Sequence, residues 1–328
     1  MPTTTRNVAL QNNTYYTLRI VMSVALGGFL MGFDASVISG VVRFIELEFS
    51  LSSIELGWAV ASLTLTSALA MLFADPLSDR VGRRPVLQVA AILFLISAIA
   101  SAFAPSFLFL VLARMLGGFG VGAALIIAPM YIAEIAPAET RGRLVSCNQL
   151  NIVIGISVAF FSNYFLLTAS TSEGWLSTLI GNEIVWRWML GVEALPALLY
   201  LLLLVFVPES PRWLVLKDDE DQALRVMSDI TGEDRARQDM IAIKASLSAT
   251  QPSVKEAFLT LIGPTLRLAM LIGLAIAVLQ QITGINAVFF YAPLIFEQSG
   301  IAADAAFLQA VLVGLVNLVF TIIAILTI

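Results

Sequence analysis

Three side-chain amides lie within seven residues of one another in the run Gln280-Gln281-Ile282-Thr283-Gly284-Ile285-Asn286. The run sits inside an apolar stretch from about Leu268 to Phe296, which is long enough to cross a bilayer. Amides in hydrocarbon are costly unless they face a wet cavity, bind a ligand or bond a neighbouring helix. Because an amide both donates and accepts hydrogen bonds, it matches ligands that do the same, sugar hydroxyls among them. On an unbroken helix Gln280 and Asn286 stand roughly 120° apart, since six residues advance about 600°. A break at Gly284 would bring them toward one surface, and interrupted helices at mid-membrane are a common way to build a binding site.

Charges in apolar segments form a second group. Asp34 lies in Gly32-Phe33-Asp34-Ala35-Ser36, Arg114 opens the glycine-rich run Arg114-Met115-Leu116-Gly117-Gly118-Phe119-Gly120, and Glu193 lies in a further apolar segment. An ionised carboxylate in such a place is costly without a cation. Two acids and one arginine can make a static pair that fixes packing, or a pair whose protonation changes with access to water. No strand precedes the glycines after Arg114, so they serve close helix packing rather than a nucleotide loop.

A third group is polar and lies between apolar segments: Asp79-Arg80-Val81-Gly82-Arg83-Arg84, then Glu134, Arg141, Glu209 and Arg212. Its arginines can pair with those carboxylates or with helix C-termini. Such a network would hold one conformation; alternatively the basic residues act only as topology signals.

The elements that carry these groups follow from composition. Of 328 residues, 59% are hydrophobic and 12% charged, with a mean hydropathy of +0.92. That composition identifies an all-α integral membrane protein. Apolar segments at about 20–42, 54–77, 86–104, 107–134, 144–168, 185–207, 266–296 and 305–328 predict eight transmembrane helices. Net charge is −5 and no basic tract exists, so nucleic acid is not a partner. One cysteine, Cys147, and no histidine leave no internal disulfide, no His-based catalysis and no expected metal or cofactor site. The polar first 19 residues lack a signal-peptide pattern, so the first helix is expected to serve as the insertion signal. Arg6, Arg19, Arg80, Arg83, Arg84, Arg141, Arg143, Arg212, Lys217, Arg225, Arg235, Arg237, Lys244 and Lys255 fall on one side of the predicted membrane. The other side has Arg43 with Glu46, Glu48, Glu55, Glu173, Glu297 and Asp304. This asymmetry predicts a cytoplasmic N-terminus.

A charged segment, 208–262, divides six predicted helices from the last two. It is too short and polar to make its own core and is expected to form solvated helices. The expected units are a six-helix bundle over 1–207, a cytoplasmic helical linker over 208–262, and the start of a second bundle over 263–328. Two related halves joined in this way are a transporter organisation.

Taken together, seven motifs in order resemble the sugar porter family of the major facilitator superfamily, closest in look to bacterial xylose-type sugar–proton symporters. They are the Asp34 segment, Asp79 to Arg84, Arg114 with its glycines, Pro129 to Pro137, Arg141-Gly142, Pro208 to Leu214, and Gln280 to Asn286. The resemblance implies the major facilitator fold and a monosaccharide (hexose or pentose) carried with a proton across the inner, plasma membrane. It implies proton coupling through Asp34 with Arg114 and Glu193. It also implies sugar contacts at Gln149, Gln280, Gln281, Asn286 and Asn317, with Tyr291 closing over the sugar. On that resemblance helices 9 to 12 are missing, together with the second charged loop, and the chain corresponds to about two-thirds of a transporter. Three positions depart from the pattern: Asp75 stands at a usual glycine, Phe290 replaces the first of a tyrosine pair, and Ile156 replaces the xylose type's glutamine. The expected function is therefore sugar–proton symport by alternating access. A facilitative uniporter, a non-transporting sugar sensor and an inactive fragment are the alternatives; an intramembrane enzyme lacks any paired nucleophile and base.

Overall fold

The structure, a computed structural model, describes residues 3–181, 183–248, 260, 263 and 266–327, with side chains described from residue 15 except at 176, 179 and 248. Among the described residues it is entirely helical, and eight helices are long and apolar enough to cross a membrane. Each coincides with a predicted segment. We label the helices α1 (Thr3–Phe49), α2 (Ser53–Val81), α3 (Arg83–Ala102), α4 (Phe107–Ile135) and α5 (Arg141–Thr171). They continue as α6 (Trp175–Ile180), α7 (Val185–Gly191), α8 (Ala194–Leu204), α9 (Pro211–Leu216), α10 (Glu220–Thr231) and α11 (Glu233–Ser248). The last four are α12 (Arg267–Ile282), α13 (Ile285–Phe290), α14 (Ala292–Gln298) and α15 (Ala303–Thr327).

Local sequence explains where helices start and break. Ser52 and Glu55 form a reciprocal capping box at the start of α2. Ser106 accepts from Phe109 N–H at the start of α4. The single segment predicted over 185–207 is two pieces, α7 and α8. Pro196 has no N–H to give the carbonyl of Val192, which instead accepts from Leu195 at 3.1 Å, so the helix is interrupted at Val192 and Glu193. The seventh segment breaks at Gly284, whose backbone is left-handed (φ 71, ψ 15).

Packing is closest along α1–α5 and α2–α4. A Cβ built on Gly32 would overlap the carbonyl oxygen of Ile152, and one on Gly155 would overlap that of Phe29, so these two backbones touch. Small residues permit this in a bundle where tails and side chains are equally apolar. Helices α9 to α11 cover one end of the bundle. There Ala223, Val226, Met227 and Ile230 of α10 join the core that includes Leu87, Ile127 and Tyr131. The rest of the predicted linker, Lys255 included, lies outside the described residues save 260. At the opposite end Phe33, Val37, Trp186 and Phe307 form a second core, against which Phe290, Tyr291 and Leu294 pack. Helix α15 lies on α5, and α13 and α14 lie on α1; α12 buries no residue.

Candidate functional site

Arg114 and Asp34 meet in the middle of the bundle. Arg114 Nη1 lies 3.2 Å from Asp34 Oδ1, with the side chains 2% and 3% exposed. Gly117, one turn beyond Arg114, leaves room for the carboxylate: a Cβ there would stand 3.2 Å from Asp34 Oδ2. Glu193 is 3% exposed and interacts electrostatically with both groups. The break before Pro196 sets its place, since Glu193 opens α8 where the regular ladder is interrupted. Asp34 and Arg114 are thus paired, and Glu193 is near enough to interact with both without an ion pair of its own to Arg114. Asp34 Oδ2 and Arg114 Nε have no hydrogen-bond partner.

The amide group is less consolidated. The turn at Gly284 brings Asn286 Nδ2 within 3.0 Å of Gln281 Oε1, so the break joins Gln281, not Gln280, to Asn286. Thr283 Oγ1 turns back to the Gln280 carbonyl at 2.7 Å. Gln149, Gln280, Gln281 and Asn286 are exposed, and Asn317 and Tyr291 are partly buried. Among the described residues, the Gln281–Asn286 bond is the one hydrogen bond within this set. Phe160 of α5 stacks on Phe289 with ring centroids 6.3 Å apart, and Ser157 Oγ donates to the Gly314 carbonyl of α15 at 3.0 Å. These contacts connect α5 to α13 and α15.

The charged end contains a dense network. Arg83 grips Glu134 with Nε and Nη2, each at 3.2 Å, and its Nη1 lies 2.7 Å from Asp79. A forked guanidinium suits this bidentate role. Glu209 accepts from the backbone N–H groups of Ser210 (2.8 Å), Arg83 (3.0 Å) and Arg84 (3.2 Å). Gly82, at φ 110, allows this approach, since a Cβ there would collide with Glu209 Oε2. Burial pushes the Glu209 carboxyl above its usual range, and the N–H donors of Ser210, Arg84 and Arg83 pull it back. Arg84 donates to the carbonyls of Leu204 and Val205 at the end of α8. Ser210 Oγ donates to Glu134. Arg80, Arg141 and Arg212 form no ion pair among the described residues. Arg141 and Arg212 line a cavity of about 660 Å³ with Asp75 and Asp79, and Arg80 is exposed.

The opposite end has ties that sequence reasoning did not assign. Arg43 Nη1 pairs with Glu297 Oε1 at 3.1 Å, joining α1 to α14. Arg187 pairs with Glu48 at 2.8 Å and donates to the carbonyls of Ala102 and Ala104. Their shared side of the predicted membrane was a signal, but pairing across 254 residues leaves no local pattern.

A family model described as "Sugar (and other) transporter" matches residues 20–328. The arabinose-proton symporter of Bacillus subtilis is 37% identical over 95% of this chain and 66% of its own length. The D-xylose-proton symporter of Escherichia coli is 37% identical over 97% of this chain and 68% of its own length. The chain thus spans about two-thirds of these relatives. The partially occluded, inward-open structure of the E. coli xylose transporter superposes with a TM-score of 0.80, at 36% identity, over 95% of this chain and 73% of that one. A structure of the proton:xylose symporter bound to 6-bromo-6-deoxy-D-glucose also gives 0.80, at 37% identity, covering 96% and 70%. Eight membrane helices in this arrangement, matched over nearly the whole chain, place it in the major facilitator fold, and the chain belongs to the sugar transporter (sugar porter) family.

Proposed function

We propose that this chain works in monosaccharide–proton symport by alternating access, with Asp34 as the proton carrier. The observation that carries this is the buried Asp34–Arg114 pair with Glu193 in reach. Neutralising Asp34 weakens its hold on Arg114, and Glu193 then offers the guanidinium a second carboxylate. Protonation is thereby coupled to helix packing, because the three groups sit on α1, α4 and the α7–α8 joint. Gln149, Gln280, Gln281, Asn286 and Asn317 bind the sugar, and Tyr291 closes over it. Their amides supply donors and acceptors for hydroxyls. Proton-coupled relatives at 37% identity favour this substrate class.

The working units are the six-helix bundle of 1–207, the helical linker of 208–262 and the bundle begun by 263–328. Charge asymmetry places the N-terminus and the linker in the cytoplasm, with the protein in the inner, plasma membrane. At the cytoplasmic face Asp79, Arg83, Arg84, Glu134 and Glu209 form the network that stabilises one access state, and Arg80, Arg141 and Arg212 join it in the other.

The test is uptake of a labelled sugar panel by transporter-deficient cells expressing the chain, with and without a proton uncoupler. Uncoupler-sensitive accumulation that Asp34→Asn abolishes, with binding or exchange retained, is the expected result. Accumulation that survives Asp34→Asn refutes the carrier role. Uncoupler-insensitive equilibration assigns a uniporter, and binding without transport assigns a sensor or an incomplete carrier.

A further inference from the structure

Among the described residues, five buried side-chain polar atoms have no hydrogen-bond partner: Asp34 Oδ2, Arg114 Nε, Asn148 Oδ1, Asn163 Oδ1 and Tyr200 Oη. All five lie on or against α1. Tyr200 Oη faces Gly27, where a Cβ would stand 2.7 Å away; Asn148 Oδ1 faces Gly28 and the Asn163 amide faces Gly40. Two of the five belong to the carboxylate site already described. Tyr200 does not, and its fully buried phenol lacks any partner in the bundle.

The position of Tyr200 is specific. It follows Glu193 by seven residues on α8, and Gly27 precedes Asp34 by seven on α1, two helical turns or about 10 Å in each case. Glu193 sits by Asp34 and Tyr200 by Gly27, so the helices run antiparallel. Side chains tilt toward the N-terminus of their own helix. Asp34 therefore leans toward the level of Tyr200, and Tyr200 leans toward Glu193. Beyond Tyr200, α8 ends at Leu204, whose carbonyl accepts from Arg84 of the charged network. The buried charged side chains of this region are Asp34 on α1, Arg114 on α4 and Glu193, and the neighbouring helices add the neutral buried Thr66, Ser97 and Asn148 on α2, α3 and α5.

We propose that Tyr200 relays the proton between the Asp34–Glu193 site and the end of the bundle that bears the charged network, its hydroxyl linked by water on either side. This rests on the symport reading above. A phenol both accepts and donates. A proton reaching Tyr200 Oη from a water on the carboxylate side releases the hydroxyl proton to a water on the far side. The phenol begins and ends neutral, one O–H bond forms as another breaks, and Asp34 is left as carboxylate. Gly27 is required because a methyl there would occupy the hydroxyl's place.

The experiment uses the whole chain in lipid nanodiscs and needs no transport. After transfer to D₂O, infrared difference spectroscopy follows exchange of the protonated-carboxyl band, assigned by its loss in Asp34→Asn and Glu193→Gln. Tyr200→Phe is expected to slow that exchange about tenfold or more, or about 1.4 kcal/mol of barrier, without changing the band's amplitude. Gly27→Ala, which displaces the hydroxyl, is expected to do the same. Tyr131→Phe removes another buried phenol, one bonded to the Pro208 carbonyl, and is expected to leave exchange unchanged. Equal rates in wild type and Tyr200→Phe overturn the proposal while leaving proton carriage by Asp34 intact. A band insensitive to both Asp34→Asn and Glu193→Gln overturns the symport reading beneath it.

Discussion

Removing Arg114 tests whether the central charges are a matched set or incidental neighbours. Arg114→Met keeps an apolar stem of similar length and takes away the guanidinium, leaving Asp34 and Glu193, 2% and 3% exposed, with no cation in the bundle core. Loss of one partner of a buried pair costs about 3–5 kcal/mol, because the charge left behind is desolvated without compensation. Asp34→Asn is a milder change. The amide oxygen can still accept from Arg114 Nη1, and Glu193 remains as counter-charge, so the cost is about 1 kcal/mol, that of one altered hydrogen bond. The triple change Arg114→Met, Asp34→Asn and Glu193→Gln removes every ion from the site and should recover most of the loss, since ion sets replaced together are often neutral. Denaturant titration in micelles, followed by the emission of buried tryptophans such as Trp186, measures all three. If Arg114→Met and Asp34→Asn cost the same, or if the triple variant is no better than Arg114→Met, the three groups do not share one electrostatic site.

Other predictions concern packing and the two ends of the bundle. Gly32→Ala must move a backbone carbonyl, that of Ile152, and is expected to cost about 1–3 kcal/mol; Gly57→Ala meets nothing within 4 Å and should stabilise α2 by up to about 1 kcal/mol, both read by thermal melting. Because burial raises Glu209, the folded chain holds a proton there that the unfolded chain has lost, so this group's contribution to stability falls as pH rises from about 4.5 through the raised value. Glu209→Gln should flatten that part of a melting-temperature profile against pH; an unchanged profile counts against it. Arg43→Glu places an acid against Glu297 on a half-exposed surface, with a stability cost below about 1 kcal/mol. Spin-label distances across α1 and α14 should nevertheless lengthen, and the swap Arg43→Glu with Glu297→Arg should restore them.

Hydropathy made all eight spans legible because each must bury its backbone polar groups in lipid and so needs a long apolar run. Gly284 among amides marked the break in the seventh, and the left-handed turn is there. The gathering of Asp34, Arg114 and Glu193 was legible only as three charges too costly to leave apart. Hydropathy did not reveal the break at Val192–Glu193, because Pro196 alone creates it inside an otherwise uniform run. Arg83 and Arg80 read alike as basic residues of one turn, yet Arg83 is held by Glu134 and Asp79 while Arg80 is exposed. A three-residue difference turns a side chain by about 300° on a helix, and here the turn at Gly82 intervenes, so neighbours are decided by tertiary placement. The Arg43–Glu297 pair and the Tyr200 pocket depend on how whole helices are rotated against each other, which no local pattern encodes.

On the proposed alternating-access reading, the distribution of contacts predicts which parts of the chain move together. Within α1 to α8, α1–α5 and α2–α4 touch through backbone, and Arg83, Glu134 and Glu209 fasten three segments at one end. Backbone contacts cannot slide without separating the helices, so this unit shifts as one body. Toward the helices after the linker, the described polar ties are Ser157 to Gly314 and Arg43 to Glu297, with Phe160 on Phe289. The first lies inside the membrane span, and the second lies at the end away from the charged network. Breaking the exposed Arg43–Glu297 pair costs little, whereas at Ser157 the contact is buried and close, a Cβ on Gly314 standing 3.0 Å from the Phe160 ring and 3.2 Å from Ser157 Cα. Motion between the two units should therefore pivot near Ser157 and open at the Arg43 end. Ser157→Ala should loosen that pivot, detectable as faster exchange of the α15 backbone amides around Gly314, while exchange at Arg83 stays unchanged. Uniform acceleration through both regions would mean that the bundle does not move as one body.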